Sequence, residues 1–327
     1  MPVYDRSYRR WDGTLKRRAF RAAPIVAMGV KNALATKGGW LLTLSLRTFM
    51  AASCVPTALL FLLNYLFYFR PAFLPEQTFA IFDQLAPYRV IQYPALTRLN
   101  SMFLMVYAVI FGSGLIARDR ASGALPLYLS RPLTLGDYVL GKLGVIGWFM
   151  AMFTRVPNLL LWLMGVLSDP AEGAFSAALP HLLPIVVQNG AVVLVYSLTI
   201  LAVSSICRRP MFAGLIWFSL VILLPSFTSM AGSHRGMSAL AAVSINDALF
   251  SLGYHLYDGG GLFEKATSEA DGMVRGNLEG VFEAVKIFAS STPLQAATSV
   301  LCWCGASLLV ILSVLRRQDV VVEAGTR

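Results

Sequence analysis

The sequence predicts an all-α, polytopic membrane protein, and three observations support this fold class. Hydrophobic residues make up 57% of the 327 residues and charged residues only 13%, whereas soluble domains carry about 25% charged residues. The apolar residues form runs long enough to cross a bilayer as helices, which takes about 20 residues. These runs are continuous and lack the alternation of membrane β-strands. We therefore expect one helical membrane domain.

Six apolar runs have the length that a membrane-crossing helix needs. They cover residues 41–69, 99–117, 143–167, 182–206, 211–230 and 294–315. The predicted six-helix domain extends from residue 41 to residue 315. It is preceded by a basic arm and an interfacial helix at residues 1–40, and it is followed by a short tail at residues 316–327.

Basic residues predict the orientation of the spans, because Lys and Arg are retained on the cytoplasmic side of short loops. Nineteen of the 27 basic residues lie in residues 1–47, in residues 118–142, in the Arg208 and Arg209 pair or in the tail. Seven lie in the alternate segments, and Arg155 lies inside the third predicted span. Both termini are therefore expected in the cytoplasm, and the net charge of +10 reflects this topology.

The first 22 residues combine seven basic residues with four aromatic ones. Such a segment can bind single-stranded nucleic acid. Beside a membrane span it is more typical of an arm that lies on anionic lipid, so we expect lipid and no nucleic acid as its partner. Apolar residues recur with loosely helical spacing in residues 24–36, which predicts a short amphipathic helix at the membrane interface before the first span.

Residues 231–293 form the longest connection, and a structureless loop of that length would be unusual. In residues 274–288, apolar residues recur at helical spacing and charged residues fall on the opposite face, which predicts an amphipathic helix. Residues 245–256 are a second candidate, and a run of one Asp and three Gly separates the two. We expect these short helices on the external side, between the fifth and sixth spans.

Side chains suited to catalysis are sparse. The three histidines, His181, His234 and His255, do not form the pattern of a zinc protease, and no carboxylate lies within a predicted span. The four cysteines all fall in or beside apolar runs, which excludes a disulfide framework of the secreted kind. We therefore expect no enzymatic activity, no metal site and no catalytic residue on this chain.

Residues 136–143 spell G-x-x-x-x-G-K followed by Leu143, and this pattern resembles a phosphate-binding loop. A true phosphate loop needs Ser or Thr at that position and a strand before the glycines. Thr134 with Asp137 three residues later instead predicts a capping box at the start of a helix. We expect no bound cofactor here, so any ATP and magnesium would be held by another chain.

Arg155 is the one charge near the middle of a predicted span. An Arg at the bilayer centre costs about 2.5 to 3.5 kcal/mol on insertion scales, so such residues usually face a cavity or the bundle interior. In one interpretation, Arg155 reaches the interface or the span is displaced by a turn. In the other, Arg155 lines a substrate cavity together with Asn158, where Pro157 loosens the helix.

Residues 113–144, SGLIARDRASGALPLYLSRPLTLGDYVLGKLG, resemble the cytoplasmic loop of type-2 ABC transporter permeases. In that family a charged patch with a Gly-Thr-Leu-like turn precedes a short apolar helix, an Arg-Pro pair and a Gly-Lys pair that enters the third span. Asp119 stands where Glu is common, and Ala124 stands where Thr is frequent. The matching residues are Arg118, Asp119, Arg120, Gly123, Leu125, Leu129, Arg131, Pro132, Gly141 and Lys142.

The resemblance implies the membrane subunit of an ATP-driven exporter in the inner membrane of a bacterium. It implies that this permease pairs with a second copy or a paralogue and is driven by cytoplasmic ATPase subunits. Residues 118–142 would form the coupling loop, in which Leu125, Leu127 and Leu129 build an apolar ridge that docks into a groove of the ATPase. Alternatively, this ridge rests on the membrane.

Two other classes of protein stay open at this point. A secondary transporter would need ionisable residues inside the membrane for ion coupling, and Arg155 is the one charge near the middle of a predicted span. A membrane-anchored sensor or assembly protein would have no conduit and no ATPase partner. The sequence does not indicate the substrate.

Overall fold

The computed structural model describes residues 22–34, 40–69, 92–124, 134–168, 174–232, 243–258 and 291–325. Within these ranges the chain forms ten α-helices and no strand, as the sequence predicted. The helices are α1 (Ala23–Leu34), α2 (Trp40–Ser53), α3 (Val55–Phe69), α4 (Gln92–Tyr107), α5 (Ala117–Ala121), α6 (Leu135–Ser168), α7 (Ala174–Ile206), α8 (Pro210–Gly232), α9 (Ile245–Leu256) and α10 (Pro293–Gly325).

Five helical stretches within the described ranges are long and apolar enough to cross a membrane. They are Arg47–Leu66, Gln92–Ala121, Leu135–Ser168, Ala178–Ile206 and Pro293–Arg316. Each overlaps one of the six predicted spans. The remaining predicted span, residues 211–230, lies on α8, whose apolar part, Pro210–Pro225, is shorter.

The boundaries of several spans differ from the prediction. The first predicted run is divided at Cys54, where α2 ends and α3 begins. Pro56 lies in the first turn of α3, a position that proline tolerates because the N–H groups there have no partner within the helix. The second span starts at Gln92, before the polar residues Thr97 and Arg98, because these side chains find partners inside the bundle.

The start of α6 confirms the predicted capping box. The Thr134 backbone N–H donates to Asp137 Oδ2 at 3.1 Å, and the Asp137 N–H donates to Thr134 Oγ1 at 3.2 Å. Residues 136–143 are therefore helical, and no strand precedes them in the described part of the chain. This geometry differs from the strand and turn that a phosphate-binding loop requires.

Aromatic side chains fill the space between α4, α6 and the end of α2. The Phe111 and Phe149 rings stack with centroids 4.0 Å apart, and Tyr107 stacks on Phe153 at 4.1 Å. The Tyr107 hydroxyl lies 2.8 Å from Ser53 Oγ, which pairs the buried polar end of the tyrosine. These contacts join three spans in the core of the bundle.

The helix predicted in residues 24–36 is present as α1, and it packs against α6 through small residues. Its position at the membrane interface stays a prediction. Gly141 lies against Ile25 and Gly144 against Val26, so closely that an added Cβ would meet these side chains at 2.8 and 2.7 Å. This contact lies near the end of the bundle at which α5 ends. We call that end the loop end and the opposite end the far end.

The helix predicted at residues 245–256 is confirmed as α9, with Ser244 Oγ accepting a hydrogen bond from the Asp247 N–H at 3.3 Å. This helix packs against α4, α7, α8 and α10 in the far half of the bundle. Its predicted location on the external side stays a prediction. Tyr257 at its end stacks on Tyr93 with centroids 5.9 Å apart. The helix predicted at 274–288 and the arm at 1–21 lie outside the described residues.

Gly112 lies where α4, α6 and α7 meet. An added Cβ would lie 2.5 Å from Ile146 Cδ1 and 2.8 Å from Ile200 Cγ2, whereas nothing lies within 4 Å of the same position at Gly305. We expect Gly112→Ala to destabilise the protein by about 1 to 3 kcal/mol through overpacking. The control Gly305→Ala should be neutral or stabilising, because Ala favours a helix. Equal thermal unfolding midpoints for the two variants would contradict this packing.

Candidate functional site

The helix that begins as α4 is interrupted near the loop end. After Tyr107 the backbone forms a π-helical turn, Ala108–Gly112, then a non-helical turn at residues 113–116, and α5 begins at Ala117. Such an interruption frees backbone N–H and C=O groups from their usual helical partners. In a membrane these groups need partners inside the protein, because each unsatisfied one costs several kcal/mol.

The hydroxyl of Ser204 on α7 provides those partners. Its Oγ accepts from the N–H groups of Ile116 at 3.2 Å and Ala117 at 3.0 Å, and it donates to the Ser113 carbonyl at 2.8 Å. Ser204 is fully buried. One side chain of α7 therefore fixes the position at which α5 begins, and the sequence analysis missed this residue among the many serines of the spans.

Arg120 makes a second connection between α5 and α7. Its Nη1 donates to the carbonyls of Ser205 and, at 2.9 Å, Ile206 at the end of α7. The last carbonyls of a helix have no partner within it and carry the negative end of the helix dipole, so a guanidinium is favourable here. The two contacts hold α5 against the loop end of α7.

Asp119 connects α5 to α6. Its Oδ2 lies 2.7 Å from Lys142 Nζ and accepts a hydrogen bond from the Tyr138 hydroxyl at 2.8 Å. The Lys142 and Asp119 side chains are only 11% and 16% exposed, so water screens the ion pair weakly. Tyr138 and Lys142 are four residues apart and share one face of α6. The two ends of the predicted coupling loop are therefore joined.

Gly123 ends α5 in a left-handed conformation, with φ at 65°. The Ala124 N–H donates to the Asp119 carbonyl at 2.9 Å and the Gly123 N–H to the Arg120 carbonyl at 3.4 Å, which is the pattern of a Schellman motif. Glycine adopts this conformation without the steric cost of a Cβ. The loop thus leaves α5 in a direction that this glycine sets.

The structure describes about half of the predicted coupling residues and brings them together at the loop end. Those described are Arg118, Asp119, Arg120, Gly123 and Lys142. The others, Leu125, Leu127, Leu129, Arg131 and Pro132, lie outside the described residues. We use the name loop base for the described group Asp119, Arg120, Tyr138, Lys142 and Ser204.

A second polar group joins three spans toward the far end. Asn158 Nδ2 donates to Asn189 Oδ1 at 3.1 Å and to Thr97 Oγ1 at 3.4 Å, which connects α6 to α7 and α4. Asn158 is buried. Asn158 therefore lies in the bundle interior, where it forms hydrogen bonds between helices. Arg155 lies on a different, exposed face of α6.

Arg155 lies on an exposed face of α6, with its guanidinium against Gly190 of α7. The neighbouring Met152 and Leu159 are also exposed and apolar. With a rise of 1.5 Å per residue, Arg155 lies about 20 Å from Ser168 and about 30 Å from Leu135 along α6. Because α6 is about 50 Å long and a hydrocarbon core is about 30 Å thick, the helix alone does not fix the depth of Arg155, and both interpretations stay predictions.

Two charged residues that the sequence analysis assigned to connections lie near the bundle interior. Arg98 is within α4 and Asp247 is in the first turn of α9. Burial raises the pKa of the Asp247 carboxyl, and a hydrogen bond with Ser244 and the charge of Arg98 oppose this shift. Hydropathy gave no signal for these positions, because each residue lies outside a long apolar run.

Helices long and apolar enough to cross a bilayer indicate a multi-pass membrane protein. A family model described as ABC-2 family transporter protein matches residues 23–320, and the chain belongs to this family. The resemblance seen in residues 113–144 is thus confirmed. Permeases of this family are generally non-enzymatic membrane subunits that normally work with an ATP-binding subunit. No curated protein matches the chain.

The loop base predicts a measurable coupling between two charges. Lys142→Met should lower stability by about 2 to 4 kcal/mol, because it leaves the Asp119 carboxylate buried without its cation. The double variant Asp119→Asn with Lys142→Met should recover most of this loss, because Tyr138 can still donate to the amide oxygen. Lys31→Met on the exposed face of α1 is the control. Additive losses in thermal unfolding would contradict the pairing.

Proposed function

We propose that the chain is the permease subunit of an ATP-driven exporter, in which a separate cytoplasmic subunit hydrolyses ATP and docks on residues 118–142. The observation that supports this proposal best is the loop base, which joins both ends of the loop to the spans. The family of the chain supports it independently. The alternatives, a secondary transporter and a membrane-anchored sensor, give no reason for a loop anchored in this way.

We place the loop end in the cytoplasm and count six spans, with both termini inside. The partition of basic residues supports this orientation. The span that completes the six is α8, the fifth in chain order, because its 23 residues are about 35 Å long and exceed a hydrocarbon core of about 30 Å. The expected inner membrane of a bacterium belongs to the same proposal.

The loop base suggests how a movement of the loop would reach the spans. Asp119 connects α5 to α6, and Ser204 and Arg120 connect α5 to α7. A force on residues 125–133 would therefore act on two long helices through short polar contacts. Docking of an ATPase at the predicted ridge would move α6 and α7 together, and the substrate would cross between two such permeases.

Arg155 is the candidate for a cation on the substrate path. An exposed guanidinium within a membrane span is costly if it faces lipid, so we assign the face of Arg155 to a water-containing conduit beside a second permease copy. The charge would favour anionic groups on the substrate. Arg155 and Gly190, which leaves room for the guanidinium, lie on adjacent helices of this face.

The docking proposal predicts that a few apolar side chains of the loop carry most of the affinity. Leu127→Asp and Leu129→Asp should each weaken the complex by about 1 to 3 kcal/mol, because a buried leucine is lost and a charge is introduced. Arg131→Glu should weaken binding mainly at low salt if the arginine lies at an exposed rim. The measurement is co-purification of the ATPase together with ATP hydrolysis by the complex.

Val321→Asp in the C-terminal tail is the matched control, since it adds the same charge outside the loop. Retention of the ATPase and of full coupled activity in both leucine variants would contradict the assignment of the coupling loop. Normal transport without any ATPase would favour the secondary transporter instead.

The conduit and the orientation can be tested together by cysteine labelling in a variant without the four native cysteines. Gly260→Cys should react with an impermeant thiol reagent from outside. Arg155→Cys should react with a small, charged reagent, because a thiolate forms only where water enters. The control Leu309→Cys is exposed on α10 and should stay unreactive if its face contacts lipid. If Arg155→Cys does not react, the face of Arg155 does not line a conduit and Arg155 has a structural role.

A further inference from the structure

A small, partly open cavity lies between α4, α7 and α9 in the far half of the bundle. Its volume of about 20 Å³ is sufficient for one water molecule. The cavity is separate from the loop base and from the exposed face of Arg155. Its polar lining residues are Thr97, Arg98, Ser101, Gln188, Tyr196 and Asn246.

Gln188 is the residue that requires a ligand. Its side chain is 1% exposed, and neither Nε2 nor Oε1 has a hydrogen-bond partner among the described protein atoms. A buried polar atom without a partner costs about 1 to 3 kcal/mol. The amide is wedged beside Gly253 of α9, where an added Cβ would collide with it. It therefore has little room to turn toward another protein group.

The hydrogen bonds around the cavity favour a ligand that both donates and accepts. Gln188 offers one acceptor and one amino group, and the Ser101 hydroxyl, which donates to the Arg98 carbonyl at 2.6 Å, can still accept. The Asn246 amide is already engaged, because Oδ1 accepts from Tyr196 and Nδ2 donates to the Val221 carbonyl. A ligand between Gln188 and Ser101 can therefore use both of its hydrogens and a lone pair.

The charges around the cavity favour a neutral ligand. Arg98 lines the cavity and disfavours a cation. Asp247, which follows Asn246 on α9 and interacts electrostatically with Arg98, offsets part of the charge of the arginine. A neutral ligand of this size with both hydrogen-bonding functions is water.

We propose that the cavity is a binding site for one buried water molecule, which hydrogen-bonds the Gln188 amide and the Ser101 hydroxyl. This water connects α7 to α4 directly beneath α9. The connection between α7 and α4 then depends partly on an exchangeable ligand, whereas Asn246 of α9 bonds Tyr196 directly. The proposal is independent of the coupling loop and of the ATPase.

The test is hydroxyl-radical labelling generated by X-rays in the purified full-length protein, because a bound water produces radicals beside buried side chains. Leu249 and Tyr196 line the cavity and are buried, and they should be labelled several-fold faster than the equally buried Leu104 and Tyr107, which do not line it. If Leu249 is labelled no faster than Leu104, and Tyr196 no faster than Tyr107, the proposal is overturned.

Gln188→Met keeps the size of the side chain and removes its amide, so labelling of the two lining residues should fall to the reference level. Ser197→Ala is the matched control, because Ser197 also has a buried hydroxyl without a partner but does not line the cavity. It should leave the labelling unchanged, and an equal effect of both variants would overturn the assignment.

If Gln188→Met does not fold, the presence of the water can be measured in the wild-type protein. The Gln188 side-chain amide should receive magnetisation from water in water-edited solid-state NMR spectra. No transfer to this amide under conditions where exposed amides respond would exclude the water.

Discussion

The loop end of this bundle depends on the hydrogen bonds that the Ser204 hydroxyl makes with backbone N–H and C=O groups. A membrane helix that breaks must find partners for the freed N–H and C=O groups inside the protein. Here a single hydroxyl on α7 bonds two N–H groups and one carbonyl at the break between α4 and α5. These bonds fix the start of the short helix α5, which carries Asp119 and Arg120 to their partners on α6 and α7.

The same requirement explains the arrangement of polar residues farther along α7. Gln188, Asn189 and Gly190 are consecutive, and each successive residue of a helix is rotated by about 100°. Their surroundings consequently differ. Gln188 lines the cavity beside α9, Asn189 accepts a hydrogen bond from the Asn158 amide, and Gly190 lies against the Arg155 guanidinium. One turn of α7 thus organises the far half of the bundle, and hydrogen bonds replace the hydrophobic driving force that helices lack in lipid.

The outer surface follows a different rule. Large apolar side chains are exposed along α3, α6, α8 and α10, which is costly in water and favourable in lipid. Arg155 is the exception among the described residues in the middle of these faces, since its charge favours water or protein as a neighbour. The contrast between this residue and its apolar neighbours supports an assignment of its face to a conduit rather than to lipid.

The sequence by itself determined the helical fold class, five of the spans, the capping box at Thr134 and the bounds of α9, because hydropathy and capping depend on residues close together in the chain. It also indicated the family through residues 113–144. Only the tertiary structure decided the break after α4, the pairing of Asp119 with Lys142, the interior position of Asn158 and the burial of α9 within the bundle. The partners in these contacts lie far apart in the sequence, as Ile116 and Ser204 do at a separation of 88 residues. No local pattern distinguishes such a serine from others in an apolar span, since its role arises only when a second helix brings unpaired backbone groups to it.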